Sequence, residues 1–357
     1  MNNYKVIDLF SGCGGSALGF KQADFYISVA VDNNKIACES FKLNFSDCNV
    51  INEKIEFLSG KDLLKAGKLK NGDDVVIIAC PPCQGFSSAR RVNQRLEDPR
   101  NQLVLELIRI IGEIKPIGFI IENVPGLAGS TGKLLLNKVL KEIESFGYKY
   151  KYNIVDAADY GVPQHRKRLV VIGLMGDKEP AFPIPTHHNP DMPNILLPPW
   201  KTVRNTISTL PPINAGETSI NDPLHKSASL SERNMQRIKI TEHDGGSRLT
   251  WPRQMWDKCH IDKKGHTDVY GRMKWDSPSP AITGGCTMYS KGRYGHPEQD
   301  RAISLREAAK LQTFTDDFRF AGNFGQISDQ IGNAVPATLA KIIAETILND
   351  ISYIKRL

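Results

Sequence analysis

Apolar positions in the first half of the chain fall in short runs separated by amphipathic stretches. Lys5–Phe10 reads as a strand, followed by a glycine turn and a helix to about Gln22. Tyr26–Val31 reads as a second strand. Asn33–Asn44 has helical spacing, with Ile36, Phe41 and Leu43–Phe45 on its apolar side. Asp74–Ala79 (DVVIIA) is a continuous apolar run, the mark of a strand buried on both faces. Gln102–Ile114 reads as a helix, Gly118–Ile121 as a strand and Lys133–Phe146 as a helix, and Tyr150–Val155 and Leu169–Leu174 are further strands. This alternation predicts an α/β fold with a largely parallel sheet.

The pattern breaks near Gly176. Residues 177–300 hold all four tryptophans, seven of the eight histidines and fourteen of the twenty-one prolines, with little periodicity. Such a stretch reads as an irregular, loop-rich second domain. Helical spacing returns at Ser304–Leu311 and Ala337–Ile354. The expected division is a first domain over 1–176, completed by 325–357, and a smaller domain over 177–324. A chain of 357 residues is long enough for both.

Composition adds limits. The chain is 40% apolar and 24% charged, as soluble globular proteins are. No stretch approaches the roughly 18–20 apolar residues of a membrane-spanning helix. MNNYKVIDLF lacks the features of a signal peptide, so the expected location is cytoplasmic, with no membrane partner. Seven scattered cysteines point to free thiols rather than a disulfide framework. The net charge of +7 permits a nucleic-acid partner without requiring one.

Four segments carry candidate chemistry. The first is Asp8-Leu-Phe-Ser-Gly12-Cys-Gly14-Gly15-Ser-Ala17. Glycines after a first strand let backbone approach a ligand closely and turn into a helix. Asp32, at the end of the second strand, can accept both hydroxyls of a ribose. Together they indicate a nucleoside cofactor and leave open NAD or S-adenosylmethionine. A plain strand–helix turn fits the glycines as well.

The second segment, Ala79-Cys80-Pro81-Pro82-Cys83-Gln84-Gly85-Phe86-Ser87, follows the DVVIIA strand. It lies at the carboxyl edge of the sheet, where open α/β folds place ligands. Two prolines fix the approach to Cys83, which suits a thiolate nucleophile. A buried thiol, a redox pair with Cys80 and half a zinc site are the alternatives. Zinc lacks a second suitable ligand pair here, and no metal is expected.

The third segment, Ile121-Glu122-Asn123-Val124-Pro125, puts a carboxyl group at another strand end. Desolvation at such positions favours the neutral acid, and backbone amides can equally hold a carboxylate there. The fourth is Gln164-His165-Arg166-Lys167-Arg168. Alternation puts Gln164, Arg166 and Arg168 on one face and His165 and Lys167 on the other. Two arginines pointing one way suit a phosphate or a carbonyl, or form a solvated basic edge.

In this order, FSGCGG, PPCQGFS, ENV and QHRKR, followed by REAAKLQTF and QIGNAVP, resemble the cytosine-5 DNA methyltransferases of prokaryotic restriction–modification systems. The likeness spans nearly the whole chain. It implies a Rossmann-like, S-adenosylmethionine-dependent methyltransferase fold and double-stranded DNA as substrate. It implies Cys83 as the nucleophile at carbon 6 of cytosine and Glu122 as the group that binds and protonates nitrogen 3. Arg168 holds the base at its carbonyl oxygen, with Arg166 in support. Aromatic carbon 5 needs such an adduct before it can attack an electrophile, and a stacked base must first be flipped out.

For S-adenosylmethionine, the resemblance assigns Phe10, Gly12, Gly14 and Gly15 to the methionine and ribose, and Asp32 to the ribose hydroxyls. Asn33 lies next to the adenine, Asn52 faces its amino group, and Pro82 and Asn333 close the pocket. Three positions depart from the family pattern. Asp32 stands where glutamate is more usual, Asn52 where aspartate is common and Thr315 where proline is typical. The expected unit is a monomer, paired functionally with a restriction endonuclease.

The family likeness gives residues 177–300 the reading of the target sequence. Arg248, Arg253, Arg272 and Arg293 are the candidates there for guanine edges, phosphate contact or plain surface being the other readings. The segment holds sixteen basic and fourteen acidic residues, so charge does not locate the DNA face. Its histidines and tryptophans read as packing residues. Two other readings compete: the same chemistry on tRNA, and a catalytically silent nucleic-acid-binding regulator.

Overall fold

A computed structural model describes residues 4–70, 72–82, 102–130, 132–192, 196–261 and 268–355. Seven strands form one sheet: β1 Lys5–Leu9, β2 Tyr26–Asp32, β3 Asn49–Asn52, β4 Val75–Ala79, β5 Gly118–Asn123, β6 Tyr148–Asp156 and β7 Lys167–Met175. Their order is β3-β2-β1-β4-β5-β7-β6. β1 to β5 pair in parallel, and β7 runs antiparallel to both β5 and β6. The expected mostly parallel α/β sheet is the one observed. The helices are α1 Gly15–Gln22, α2 Lys35–Asn44, α3 Gly60–Ala66, α4 Gln102–Ile114, α5 Lys133–Ser145, α6 Val203–Ile207, α7 Glu232–Lys239, α8 Lys258–Ile261, α9 Leu305–Leu311, α10 Phe324–Asn333 and α11 Ala337–Ile354.

Strand side chains alternate between two cores, as a period of two requires. Val6, Ala30, Val76, Ile78, Ile120 and Ile172 face α1 and α11. Ile7, Val29, Val31, Ile77, Phe119 and Val171 face α3, α4 and α5. Both faces are covered, which explains why DVVIIA carries no polar alternation. Residues expected in the second domain join the first of these cores: Met273, Trp275, Ile282, Leu305, Ala308 and Leu311 are all buried in it. Phe324–Ile354 departs from the composition reading, being long and apolar enough by length and hydropathy to cross a bilayer. More than half of its most apolar window, 56%, is buried within the protein.

A buried ion pair fixes the start of α9. Ser304 caps the helix in a capping box with Glu307. Glu307 also takes two hydrogen bonds of 2.7 Å from the Arg301 guanidinium. Burial acts to raise the Glu307 carboxyl. The Arg301 hydrogen bonds and charge outweigh it and hold the group down at about 2, against 4.5 ordinarily. Glu307→Ala should therefore cost about 3–5 kcal/mol, since it leaves a buried guanidinium unpaired. The contribution is present above the unfolded carboxyl's range and is lost as pH falls through the folded value. Chemical denaturation at neutral pH and at about pH 3 checks both points: the gap between wild type and variant should narrow in acid.

Candidate active site

The parallel strands deliver their carboxyl ends to one edge of the sheet, and a cavity of about 790 Å³ opens there. That volume suits a nucleoside-sized ligand. Its floor is the turn after β1. Phe10, Gly12 and Gly14 all have positive φ, at 58°, 53° and 100°. Gly12 N–H donates to Asp32 Oδ2 at 2.8 Å, which ties the turn to the end of β2. A side chain on Gly15 would meet Val335 O at 2.6 Å, so this glycine lets the segment after α10 pack against the turn.

Phe10, Gly12, Gly15, Asp32, Asn33, Pro82 and Asn333 line the cavity, as do Glu122, Arg166 and Arg168. Gly14 does not. A Cβ there would lie 2.7 Å from the Phe45 ring and 3.1 Å from Phe41, so its bare Cα serves packing against α2. Asn52 is also outside the lining; its Nδ2 donates to Asp32 O at 3.0 Å. Glu53, Lys54 and Ile55 line the cavity beside it. Cys83, the residue after Pro82, lies outside the described residues.

Asp32 is set for hydrogen bonding at the wall. Its Oδ1 accepts from Asn34 N–H at 2.8 Å. Burial raises the carboxyl above its usual range, while the N–H groups of Asn34, Gly12 and Asn33 pull it back.

At the other end of the cavity three strands converge. The β4–β5 register, Ala79 opposite Ile121, sets Cys80 beside Glu122. Glu122 is 8% exposed. Arg168 Nε lies 2.8 Å from Glu122 Oε1. Among the described residues, no hydrogen bond reaches that oxygen. The contact is thus an ion pair without an aligned N–H, and Oε1 keeps its accepting capacity. Asn123 Nδ2 donates to Pro81 O at 3.1 Å and so anchors the segment leading to Cys83.

Arg166 is buried. Its Nη1 donates to Ile282 O at 2.6 Å and to Gly332 O at 3.3 Å. Burial first, and then the Arg168 charge, lower its proton affinity to about 9, so it remains a cation at neutral pH. Gln164 is buried on the same face: its Nε2 donates to Gln312 Oε1 at 2.9 Å and its Oε1 accepts from Ile282 N–H at 2.8 Å. His165 and Lys167 are exposed, as alternation predicts. This face therefore joins β7 to the segments around Ile282 and α10. Thr283, absent from the expected set, lines the cavity against Asn333; its Thr-Gly-Gly run was its only signal in the sequence.

The arginines of the irregular region need correction. Arg272 is fully buried and bonds the carbonyls of Ile238, Thr241, His296 and Gln299, and also Asp300. Arg248 is 2% exposed, with its guanidinium over the Trp256 ring. Neither can reach a base edge in this fold. Arg293 is committed to Gly245 O, Gly246 O and Asp268. Arg253 alone among the four is exposed. The packing expectation for the histidines and tryptophans holds at His225, Trp251 and Trp275, all buried.

Comparison with known proteins places these features in context. The family model of C-5 cytosine-specific DNA methylases matches residues 4–349. The type II methylase M.HgiDII of Herpetosiphon aurantiacus is 35% identical over 349 residues, covering 96% of this chain and 94% of the relative. The type II methyltransferase M1.HphI of Haemophilus parahaemolyticus is also 35% identical, over 96% of this chain and 86% of that one. Among solved structures, a putative DNA modification methyltransferase encoded within an E. coli prophage superposes with a TM-score of 0.73 at 25% identity, covering 98% of this chain and 99% of that one. Spodoptera frugiperda DNMT2 shares the fold, with a TM-score of 0.65 at 19% identity over 97% and 99% of the two chains.

Proposed function

The chain belongs to the C-5 cytosine-specific DNA methylase family and is a DNA cytosine-5 methyltransferase; on that premise we propose that it methylates a flipped-out cytosine within one duplex sequence through a covalent adduct at Cys83. The observation that carries this reading is the pairing of Glu122 with Arg168 at one end of a cavity whose other end presents Asp32 and Gly12. A base and a nucleoside cofactor would meet between them, next to Pro82, the residue that precedes Cys83 in the sequence.

The cavity suits S-adenosylmethionine. Gly12 and Gly15 present bare backbone to it, and no atom lies within 4 Å of where a Gly12 side chain would stand. Asp32 would hold the ribose hydroxyls, Phe10, Gly12 and Gly15 the methionine half, and Asn33 the adenine, with Pro82 and Asn333 as walls. Gly14 would support the turn from behind. Asn52 has its amide nitrogen occupied by Asp32 O, so its oxygen remains the accepting end. When bound, S-adenosylmethionine supplies an electrophilic methyl group.

The chain's own residues would do the rest. The Cys83 thiolate adds to carbon 6 of cytosine while the acid form of Glu122 gives a proton to nitrogen 3. Arg168 holds the carbonyl oxygen and orients Glu122; Arg166 fixes the loops around them. The adduct turns carbon 5 into an enamine-like nucleophile. After methylation, a base removes the carbon 5 proton, Cys83 leaves as thiolate, and nitrogen 3 returns its proton to the Glu122 carboxylate. Residues 177–324 would read the target sequence. The type II relatives suggest a role beside a restriction endonuclease.

The test is a covalent trap. Protein and labelled S-adenosylmethionine are incubated with long duplex DNA carrying 5-fluorocytosine throughout, so the target sequence need not be known. Fluorine cannot leave as a proton does, and a denaturant-resistant protein–DNA complex is expected. A folded protein that forms no such complex would sink the proposal.

A further inference from the structure

Behind the cavity wall lies a carboxyl group that the proposed chemistry leaves unused. Asp8, in β1, is fully buried. Its register partners are Ala30 on β2 and Ile78 on β4, neither of which offers a donor side chain. Oδ2 accepts from Ser16 Oγ at 3.1 Å. Oδ1 is buried with no hydrogen-bond partner among the described residues. Ser16 sits in the first turn of α1 and lines the cavity. This contact ties the strand that enters the glycine turn to the helix that leaves it, beside the backbone bond from Gly14 N–H to Ser11 O that closes the turn itself.

The surroundings disfavour a charge on Asp8. The charged group that acts on it is another acid, Asp32 at the end of β2. The thiols of Cys13 in the turn, Cys48 after α2 and Cys80 after β4 would all feel a negative charge on it, and none of them offers a cation. An ionised carboxylate here would keep charge on a buried oxygen that meets no donor among the described residues. Burial, together with Asp32, raises this carboxyl to about 8, against the pull of the Ser16 bond.

We propose that Asp8 is a positioning residue that works as an uncharged carboxylic acid, and that its proton keeps the glycine turn in the form that binds S-adenosylmethionine. The inference rests on the reading of the cavity as the site of that cofactor. Its sign follows from the geometry. Below the folded value Asp8 is neutral and the turn is intact; above it, the carboxylate seeks water and pulls Ser16 and the turn with it. Asp32 works the other way, because both of its oxygens accept from the two ribose hydroxyls only when it is ionised. Affinity should fall in acid through Asp32 and in alkali through Asp8.

Binding of S-adenosylmethionine by the full chain, followed by calorimetry from about pH 6.5 to about pH 9.5, tests this. For the wild type, the dissociation constant should rise by up to roughly tenfold per pH unit above the midpoint. Asp8→Asn, neutral at every pH, should bind at neutral pH and stay flat through the alkaline range. Should the amide fail to fold, Ser16→Ala tests the same contact: it should weaken binding at neutral pH, and unchanged affinity would overturn the proposal. Infrared spectra give a second reading: the wild type should lose a protonated-carboxyl band with the same midpoint, and the Asp8 variant should lack it. An alkaline loss equal in wild type and variant, or a flat wild-type profile, would overturn the proposal alone. No binding at any pH would overturn the cofactor reading and the proposal with it.

Discussion

Cys83→Ala is expected to lose methyl transfer altogether while still binding DNA and S-adenosylmethionine. Carbon 5 of cytosine belongs to an aromatic ring and does not attack a methyl group unless addition at carbon 6 breaks the conjugation. Without the thiolate no other route opens, so the loss should be of the size seen when the nucleophile of a covalent enzyme is removed, roughly 10⁶-fold. The trapped complex with 5-fluorocytosine DNA should vanish with it. Cys80 provides the contrast. Its thiol is pushed well above the ordinary range, by burial above all, so it is a poor source of thiolate. Cys80→Ala should therefore still form the trapped complex. Measurable turnover by Cys83→Ala, or loss of the adduct only in Cys80→Ala, would refute the assignment.

The strands and long helices were legible because burial on both faces leaves a plain mark. DVVIIA, Ala337–Ile354 and the strand preceding Gly12 could hardly be read otherwise. Six elements were missed, among them the short helices α6, α7 and α8 of the irregular region. β3 is four residues long with asparagine at both ends. α3 is only seven residues long and depends on the Ser59–Asp62 capping box. α10 opens on Phe-Gly-Gln, which reads as loop; its Asn323–Gln326 capping box and its packing make it a helix. In β3, α3 and α10, capping or tertiary contact supplies what periodicity does not.

Legibility of the site divides in the same way. Asp32, Glu122 and Pro82 follow from topology, since parallel strands send their carboxyl ends to one edge. Gly14 and Asn52 belong to the motifs yet stand off the cavity, because a motif does not say which neighbour a bare Cα or an amide faces. Arg248 and Arg272 failed as base-reading candidates for another reason. Arg272 satisfies its guanidinium with backbone carbonyls from segments far apart in sequence, and no local pattern separates it from a surface arginine. A search for DNA-reading residues is better begun among exposed side chains such as Arg253.

Glu122→Gln isolates the proton from the rest of the site. Glutamine has nearly the same volume and can still hydrogen-bond to a ring nitrogen, so the base should still be held. It cannot hand over a proton. As Cys83 adds to carbon 6, electron density builds on nitrogen 3, and a general acid there lowers the barrier by about 10²–10⁴-fold. The variant should lose that much in kcat. The same substitution removes the carboxylate from Arg168, at 2.8 Å. The freed guanidinium can still meet the base oxygen, so KM should change much less than kcat. Affinity for S-adenosylmethionine should hold within about twofold, because Asp32 and Gly12 grip the ribose end independently. Trapping with 5-fluorocytosine DNA separates the steps. If protonation assists addition, the variant should form the adduct more slowly by the factor lost in kcat. If it assists only a later step, the adduct should form at the wild-type rate. A kcat within about threefold of wild type would remove Glu122 from the chemistry, leaving it the part of a partner that orients Arg168.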